Sequence, residues 1–444
     1  MRKVTHPDLL TRRRLCGAAA ATIAAAPLGL LSCSDGNKAM NEVAEKKPAA
    51  ASASAEIRPF EFKATQADLA DLKRRIEATR WPERETVNDS TQGVQLAVMK
   101  KLADHWAKNY DWRKTEARIN SVPNFITNID GLDIHFMHAK SKHENALPLL
   151  VAHGWPGSFV EQMKLIGPLT DPTAHGGTEA DAFHLIIPSM PGYGFSGKPT
   201  ATGWNPPRIA DAYNELMKRL GYTKWGAQGG DWGAIVVDLM ALKKPPGLVG
   251  IHTNMAGVVP PEIDQAMFHG QAIPEGLSEE ERHCCEQLLF TYKHIGYAIM
   301  MGDRPQTLTG LSDSPVGLAA FMLDHDPKSY DMIARSVNGT PEGLTPDDVL
   351  DNITLFWLTN TPISAAQLYW ENKTPYFAVK GVTIPVAVSA FPDELYTAPK
   401  SWSEKAYPKL VYYNRPAKGG HYAAWEQPAL LSKDVREGFK TLRG

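Results

Sequence analysis

Cysteine is scarce, neither sign of charge is in excess, and no apolar run is long enough to cross a bilayer. There are four cysteines in 444 residues, and two of them, Cys284 and Cys285, are adjacent. A vicinal pair closes a disulfide only with strain, so a disulfide framework is not expected. The chain has no C-x-x-C pair and no H-E-x-x-H motif, and nothing calls for a metal or cofactor. The 47 Lys+Arg are interleaved with 49 Asp+Glu for a net charge of −2. That balance offers no basic stripe for phosphates and excludes nucleic acid as a partner. No stretch reaches the about 20 consecutive apolar residues that a span requires. What is present is 43% hydrophobic and 22% charged residues, the make-up of a globular protein with a large core. At roughly 150 residues per domain, the length allows about three units.

The N-terminal residues read as an export signal, not as fold. Arg12-Arg13-Arg14 precede an alanine-rich apolar stretch at residues 18–31, too short for an anchor, and the twin arginines resemble a Tat signal. Leu30-Leu31-Ser32-Cys33 resembles a lipobox, in which Cys33 would be acylated and become the only membrane attachment. Ala24-Ala25-Ala26 offers an alternative cleavage site. On this reading residues 1–33 are signal, 34–56 a low-complexity tether, and the mature protein sits in the periplasm or cell envelope.

Residues 57–120 are helical and polar-faced. Leu69, Leu72 and Ile76 mark one helix, closed by Trp81-Pro82, and a second spans residues 94–107, together an arm expected to pack on the main domain. Near Asn124 the pattern changes to short apolar runs. Residues 125–129 and 132–138 flank Asp130-Gly131, a hairpin signature. Continuous apolar runs at 147–152 and 183–187, and further strand signals at 225–229, 248–253, 384–390 and 410–413, alternate with helical segments, including one at 233–242, as buried parallel strands do. The core then comprises residues 121–259 and 375–444. The mostly helical insertion at 260–374 is expected to cover one edge of the sheet.

Gly229-Gly230-Asp231-Trp232-Gly233 stands between a predicted strand and a predicted helix. Small residues two before and two after the central one define a nucleophile elbow, a turn too tight for side chains at those flanks. The central residue is Asp, and no complete G-x-S-x-G occurs. Taken alone, such a Gly-rich turn is more often ordinary. In the α/β-hydrolase order, however, an acid follows a late strand and a His comes last. Glu394, with Asp393 beside it as the alternative, follows the strand at 384–390, and His421 sits in Gly419-Gly420-His421. His153-Gly154-Trp155-Pro156 follows an earlier strand as an oxyanion loop would, with the backbone N–H groups of Trp155 and Trp232 as donors. A carboxylate nucleophile can displace at an sp3 carbon, giving an ester that water then cleaves. Epoxides and alkyl halides both suit that chemistry. Epoxides also need an acid for the opening oxygen, which neutral tyrosines can supply.

With these motifs in order, the chain resembles the microsomal and juvenile-hormone epoxide hydrolases from Ile57 to the C-terminus. Leu69-Ala70-Asp71-Leu72-Lys73-Arg74-Arg75-Ile76, Thr79-Arg80-Trp81-Pro82, Pro191-Gly192-Tyr193-Gly194-Phe195-Ser196 and Asp313-Ser314-Pro315-Val316-Gly317-Leu318 add to those above. The resemblance implies an α/β-hydrolase fold with a helical cap and N-terminal arm. It also implies Asp231 as nucleophile, His421 as base and Glu394 as its orienting acid. It places the two epoxide-polarising tyrosines at Tyr297, with Tyr292 nearby, and Tyr369. Phe195 and Trp370, with Trp155 and Trp232, are expected to wall an apolar pocket for a small hydrophobic epoxide and water. The family's membrane helix is replaced here by the signal and tether. A haloalkane dehalogenase also carries Asp followed by Trp at the elbow, so Trp232 does not discriminate; the tyrosines and the arm favour the epoxide reading. A non-catalytic exported binding protein would leave the joint survival of nucleophile, acid, base and oxyanion loop unexplained.

Overall fold

The computed structural model describes residues 55–443. The export signal, Cys33 and nearly all of the tether lie outside them. Among the described residues no helix is long and apolar enough to cross a membrane.

Nine strands form one sheet: β1 (Arg58–Phe60), β2 (Asn124–Ile129), β3 (Leu132–Ala139), β4 (Leu147–Ala152), β5 (Phe183–Pro188), β6 (Trp225–Gly229), β7 (Leu248–Thr253), β8 (Val386–Ser389) and β9 (Leu410–Asn414). Their spatial order is β1-β2-β3-β5-β4-β6-β7-β8-β9. β5, β4, β6, β7, β8 and β9 run parallel, whereas β1, β2 and β3 are antiparallel additions at one side. The parallel strands β4 and β6 are buried along their whole length, which is why they read as unbroken apolar or small-residue runs. The β2–β3 hairpin turns at Asp130 (φ 53°) and Gly131 (φ 83°), the positive dihedrals that a two-residue turn of this kind demands and that Asp-Gly tolerates.

The Trp232–Lys243 helix is apolar on nearly all sides and lies wedged between the sheet and the Pro206–Arg219 helix. The insertion departs from β7 and returns at β8, which are neighbours inside the sheet. It therefore does not cover an edge as the sequence pattern had suggested; the edges are β1 and β9. Its helices, from Pro261–Phe268 to Pro362–Glu371, instead bring residues over the strand ends where the elbow stands.

The arm also departs from expectation. It contributes a strand, β1, to the sheet, and its third helix, Trp112–Asn120, continues past the two that periodicity indicated. Its helices hold the cap as well as the core. The Gln95 N–H donates to Tyr330 Oη at 2.7 Å, Trp106 Nε1 to Thr354 Oγ1 at 3.0 Å, and Tyr110 Oη to Asp351 at 2.9 Å. On the core side, Phe62 stacks on Phe195 with ring centroids 4.5 Å apart.

Candidate active site

β6 delivers the chain into the elbow, and the Trp232–Lys243 helix carries it away. Asp231 sits between them at φ 50°, ψ −128°, a strained backbone that persists only where surroundings enforce it. They do so through close contacts. A Cβ on Gly229 would lie 2.3 Å from the Gly233 carbonyl, and one on Gly233 would lie 2.3 Å from Ala152 O. The carboxylate is thrust up at a helix N-terminus, where negative charge is favoured. The Trp155 N–H donates to Asp231 Oδ1 at 2.7 Å. A Cβ on Gly154 would meet that same oxygen at 2.0 Å, so the His153-Gly154-Trp155 loop closes to this distance only because residue 154 has no side chain. Trp232 opens the helix, so its N–H is among those left without an intrahelical acceptor.

His421 Nε2 stands 3.7 Å from Asp231 Oδ2, and its Nδ1 lies 2.6 Å from Glu394 Oε1. Glu394 Oε1 also accepts the Leu395 N–H at 2.8 Å. The adjacent Asp393 points outward and pairs with Lys328 at 3.5 Å, so the acid beside the imidazole is Glu394. Gly419, at φ 110°, makes the turn into His421 under the Phe391 ring. Burial pulls the imidazole pKa down, but the charge and hydrogen bond of Glu394, with the charges of Asp231 and Asp326, outweigh it and push it up to about 10.

The cap closes over the carboxylate. Tyr297, on the Gly296–Asp303 helix, stacks on Trp155 at 4.8 Å. Tyr369, on the Pro362–Glu371 helix, meets Trp232 edge-on at 4.8 Å and Tyr297 at 6.2 Å. Burial and the nearby Asp231 charge hold both phenols well above their ordinary pKa, so each remains a donor. Tyr292 is elsewhere, its hydroxyl bound to Asp264.

Two matches to family models cover the described chain's first half: Epoxide hydrolase N terminus over residues 57–162 and alpha/beta hydrolase fold over 148–278. A Stigmatella aurantiaca protein, named provisionally as an epoxide hydrolase, is 51% identical over 87% of this chain and 86% of its own length. Epoxide hydrolase 1 of Sus scrofa is 36% identical over 88% of this chain and 90% of its own. The chain belongs to the epoxide hydrolase family. In three dimensions this family member superposes on the crystal structure of juvenile hormone epoxide hydrolase from Bombyx mori with a TM-score of 0.78 at 30% identity, covering 88% of this chain and 96% of that one. The fold is thus that of the α/β-hydrolases, with cap and arm.

Two expected pocket residues of this family member lie elsewhere. Phe195 packs among Phe62, Phe60, His135 and Phe159 beneath the arm. Trp370 is 43% exposed and lines a surface groove with Arg304 and Leu368, because successive helical residues point about 100° apart and Tyr369 takes the inward position. Four residues that the sequence did not single out do approach the centre. Tyr376 lies 4.7 Å from Trp232. His325 stacks on His421 at 4.2 Å, bonded to Asp326. Glu161 lines a cavity of about 20 Å³ with Asp231, Asn254 and His421; burial, reinforced by the Asp231 charge, pushes its pKa up to about 8. Only Glu161 had a signal, its place just after the oxyanion loop.

Proposed function

We propose that the protein hydrolyses hydrophobic epoxides to vicinal diols in two steps. Asp231 Oδ2 attacks an epoxide carbon, the ring C–O bond breaks, and Tyr297 and Tyr369 hydrogen-bond the departing oxygen, one of them giving it a proton. In the second step a water attacks the Cγ of the resulting ester while His421 Nε2 takes its proton. Charge develops on Oδ1, which already accepts the Trp155 N–H, with the Trp232 N–H as second donor. Collapse breaks the Cγ–O bond to the hydroxyalkyl group, whose oxygen receives the proton from His421. The carboxyl proton of regenerated Asp231 restores the tyrosine.

The observation that carries this reading is the placement of one carboxylate between an oxyanion donor on Oδ1 and the base facing Oδ2, beneath two phenols held protonated. Ester formation also removes the Asp231 charge, one of those that raise His421, so the imidazole becomes easier to deprotonate at the stage where it must act as a base. His421→Gln should accumulate an adduct on Asp231 in single turnover with styrene oxide, detected by intact mass. Absence of any adduct, with diol still forming, would count against the scheme.

The buried Trp232 Nε1 has no hydrogen-bond partner, which keeps a haloalkane reading open to test: halide release from a bromoalkane without diol from styrene oxide would favour it. For localisation, the twin arginines and Cys33 support export with lipid attachment. Labelling with a clickable palmitate that is lost in Cys33→Ser would be the expected result, and an unlabelled periplasmic protein would point to cleavage near Ala26.

A further inference from the structure

His325 lies between the cap helices Pro315–Leu323 and Pro327–Val337 and has no part in the two steps above. Its side chain is fully buried, its Nδ1 is 3.0 Å from Asp326 Oδ2, and its Nε2 has no partner. A buried imidazole nitrogen left unpaired is costly and calls for a ligand or a water. The ring stacks on His421 at 4.2 Å with 29° between planes and lies 5.0 Å from Tyr297. A ring nitrogen of His325, one of His421 and a carboxylate oxygen of Asp231 all fall within 4.8 Å of one another. Three points so spaced share a position no more than about 2.8 Å from each (4.8/√3), the length of a hydrogen bond to water. A buried water typically has about three such partners.

We propose that His325 and Asp326 form a second imidazole–carboxylate pair, which holds the hydrolytic water against His421 and Asp231. Asp326 accepts the Nδ1 proton of His325 and so leaves the Nε2 lone pair as an acceptor. One O–H of the water points to His421, which removes that proton as the oxygen bonds to Cγ. The other O–H points to His325 and stays on the oxygen that joins Asp231. Asp326 is suited to its place: burial alone would raise its carboxyl, but the hydrogen bonds from His325 and Ser329, with the His421 charge, hold it low, so it stays ionised.

The inference rests on the two-step reading, and its test separates the two. Ester formation and decay on Asp231 are followed by rapid quench and mass spectrometry with styrene oxide. Wild type, His325→Phe, His325→Gln and Asp326→Asn are compared. Ester should form at a rate within about twofold of wild type in every variant. It should decay about tenfold more slowly in His325→Phe, as expected for the loss of one buried hydrogen bond, with much of the rate restored in His325→Gln, whose amide can hold the water. Asp326→Asn keeps an oxygen for the Ser329 N–H, which Asp326 accepts at 2.8 Å, and should also slow decay; it decides the matter if His325→Phe does not fold. Unchanged decay, or formation and decay slowed together with no recovery in His325→Gln, would overturn the water-holding role. No ester in His421→Gln run alongside, with diol still forming, would instead sink the covalent mechanism.

Discussion

His421 is surrounded by three carboxylates, Glu394, Asp231 and Asp326, each of which raises its pKa against burial. The rate of ester decay should therefore rise with pH through an apparent pKa below about 10, since esterified Asp231 no longer contributes its charge, and Glu394→Gln should lower that pKa further while slowing the step. A stopped-flow pH series on both proteins checks the order. Replacing either tyrosine with Phe removes one donor to the developing oxyanion and should reduce kcat/KM for styrene oxide by roughly 100-fold, with the double variant nearly inactive. Glu161 tests burial directly. Its folded pKa, about 8 against an ordinary 4.5, means the folded state holds its proton longer than the unfolded state does. Its contribution is fully present below about pH 4.5 and is lost as pH rises through about 8. Glu161→Gln should thus melt higher than wild type at pH 8.5 and approach it below pH 5, which a thermal-melt series at the two pH values would establish.

The elbow is the element where local sequence and tertiary contact agree most closely. Gly229 and Gly233 are required because a Cβ at either would enter neighbouring backbone, and that requirement is what made the five-residue pattern readable. Gly233→Ala should cost roughly 3 kcal/mol, seen as a lowered urea midpoint, and should reduce activity even in the folded fraction because Asp231 shifts. The parallel strands were legible for a related reason: buried on both faces, β4 and β7 match the apolar runs residue for residue. β1 was not legible. Three residues carry no periodicity, and it is a strand only because β2 presents an open edge to Arg58–Phe60. The Trp112–Asn120 helix was hidden for the opposite reason, since its polar run is punctuated by Trp112, Thr115, Glu116 and Ile119, the residues that it buries.

The arm, core and cap form one mechanical unit. The Asp351 carboxylate, buried on the Pro346–Thr359 cap helix, accepts from Tyr110, Thr115 and Arg118 of the arm. Asp351→Ala strands those donors and should destabilise the protein by about 2 kcal/mol. Because this cap also carries Tyr297 and Tyr369, KM for epoxides should change as well; an unaltered KM alongside a lowered Tm would mean the arm only stabilises. The sequence by itself determined the fold class, the elbow, and Asp231, His421 and the Asp393–Glu394 pair as the residues to examine, because each lies in a local pattern dictated by a tight turn or by chain order; Tyr297 and Tyr369 came from the resemblance to the family. Only the tertiary structure decided that Glu394 and not Asp393 meets the imidazole, that Phe195 and Trp370 face away from the centre, and that His325, Asp326, Tyr376 and Glu161 face it. Those assignments depend on which side chains of distant segments share one small buried space, and a single chain position carries no record of its neighbours across the fold.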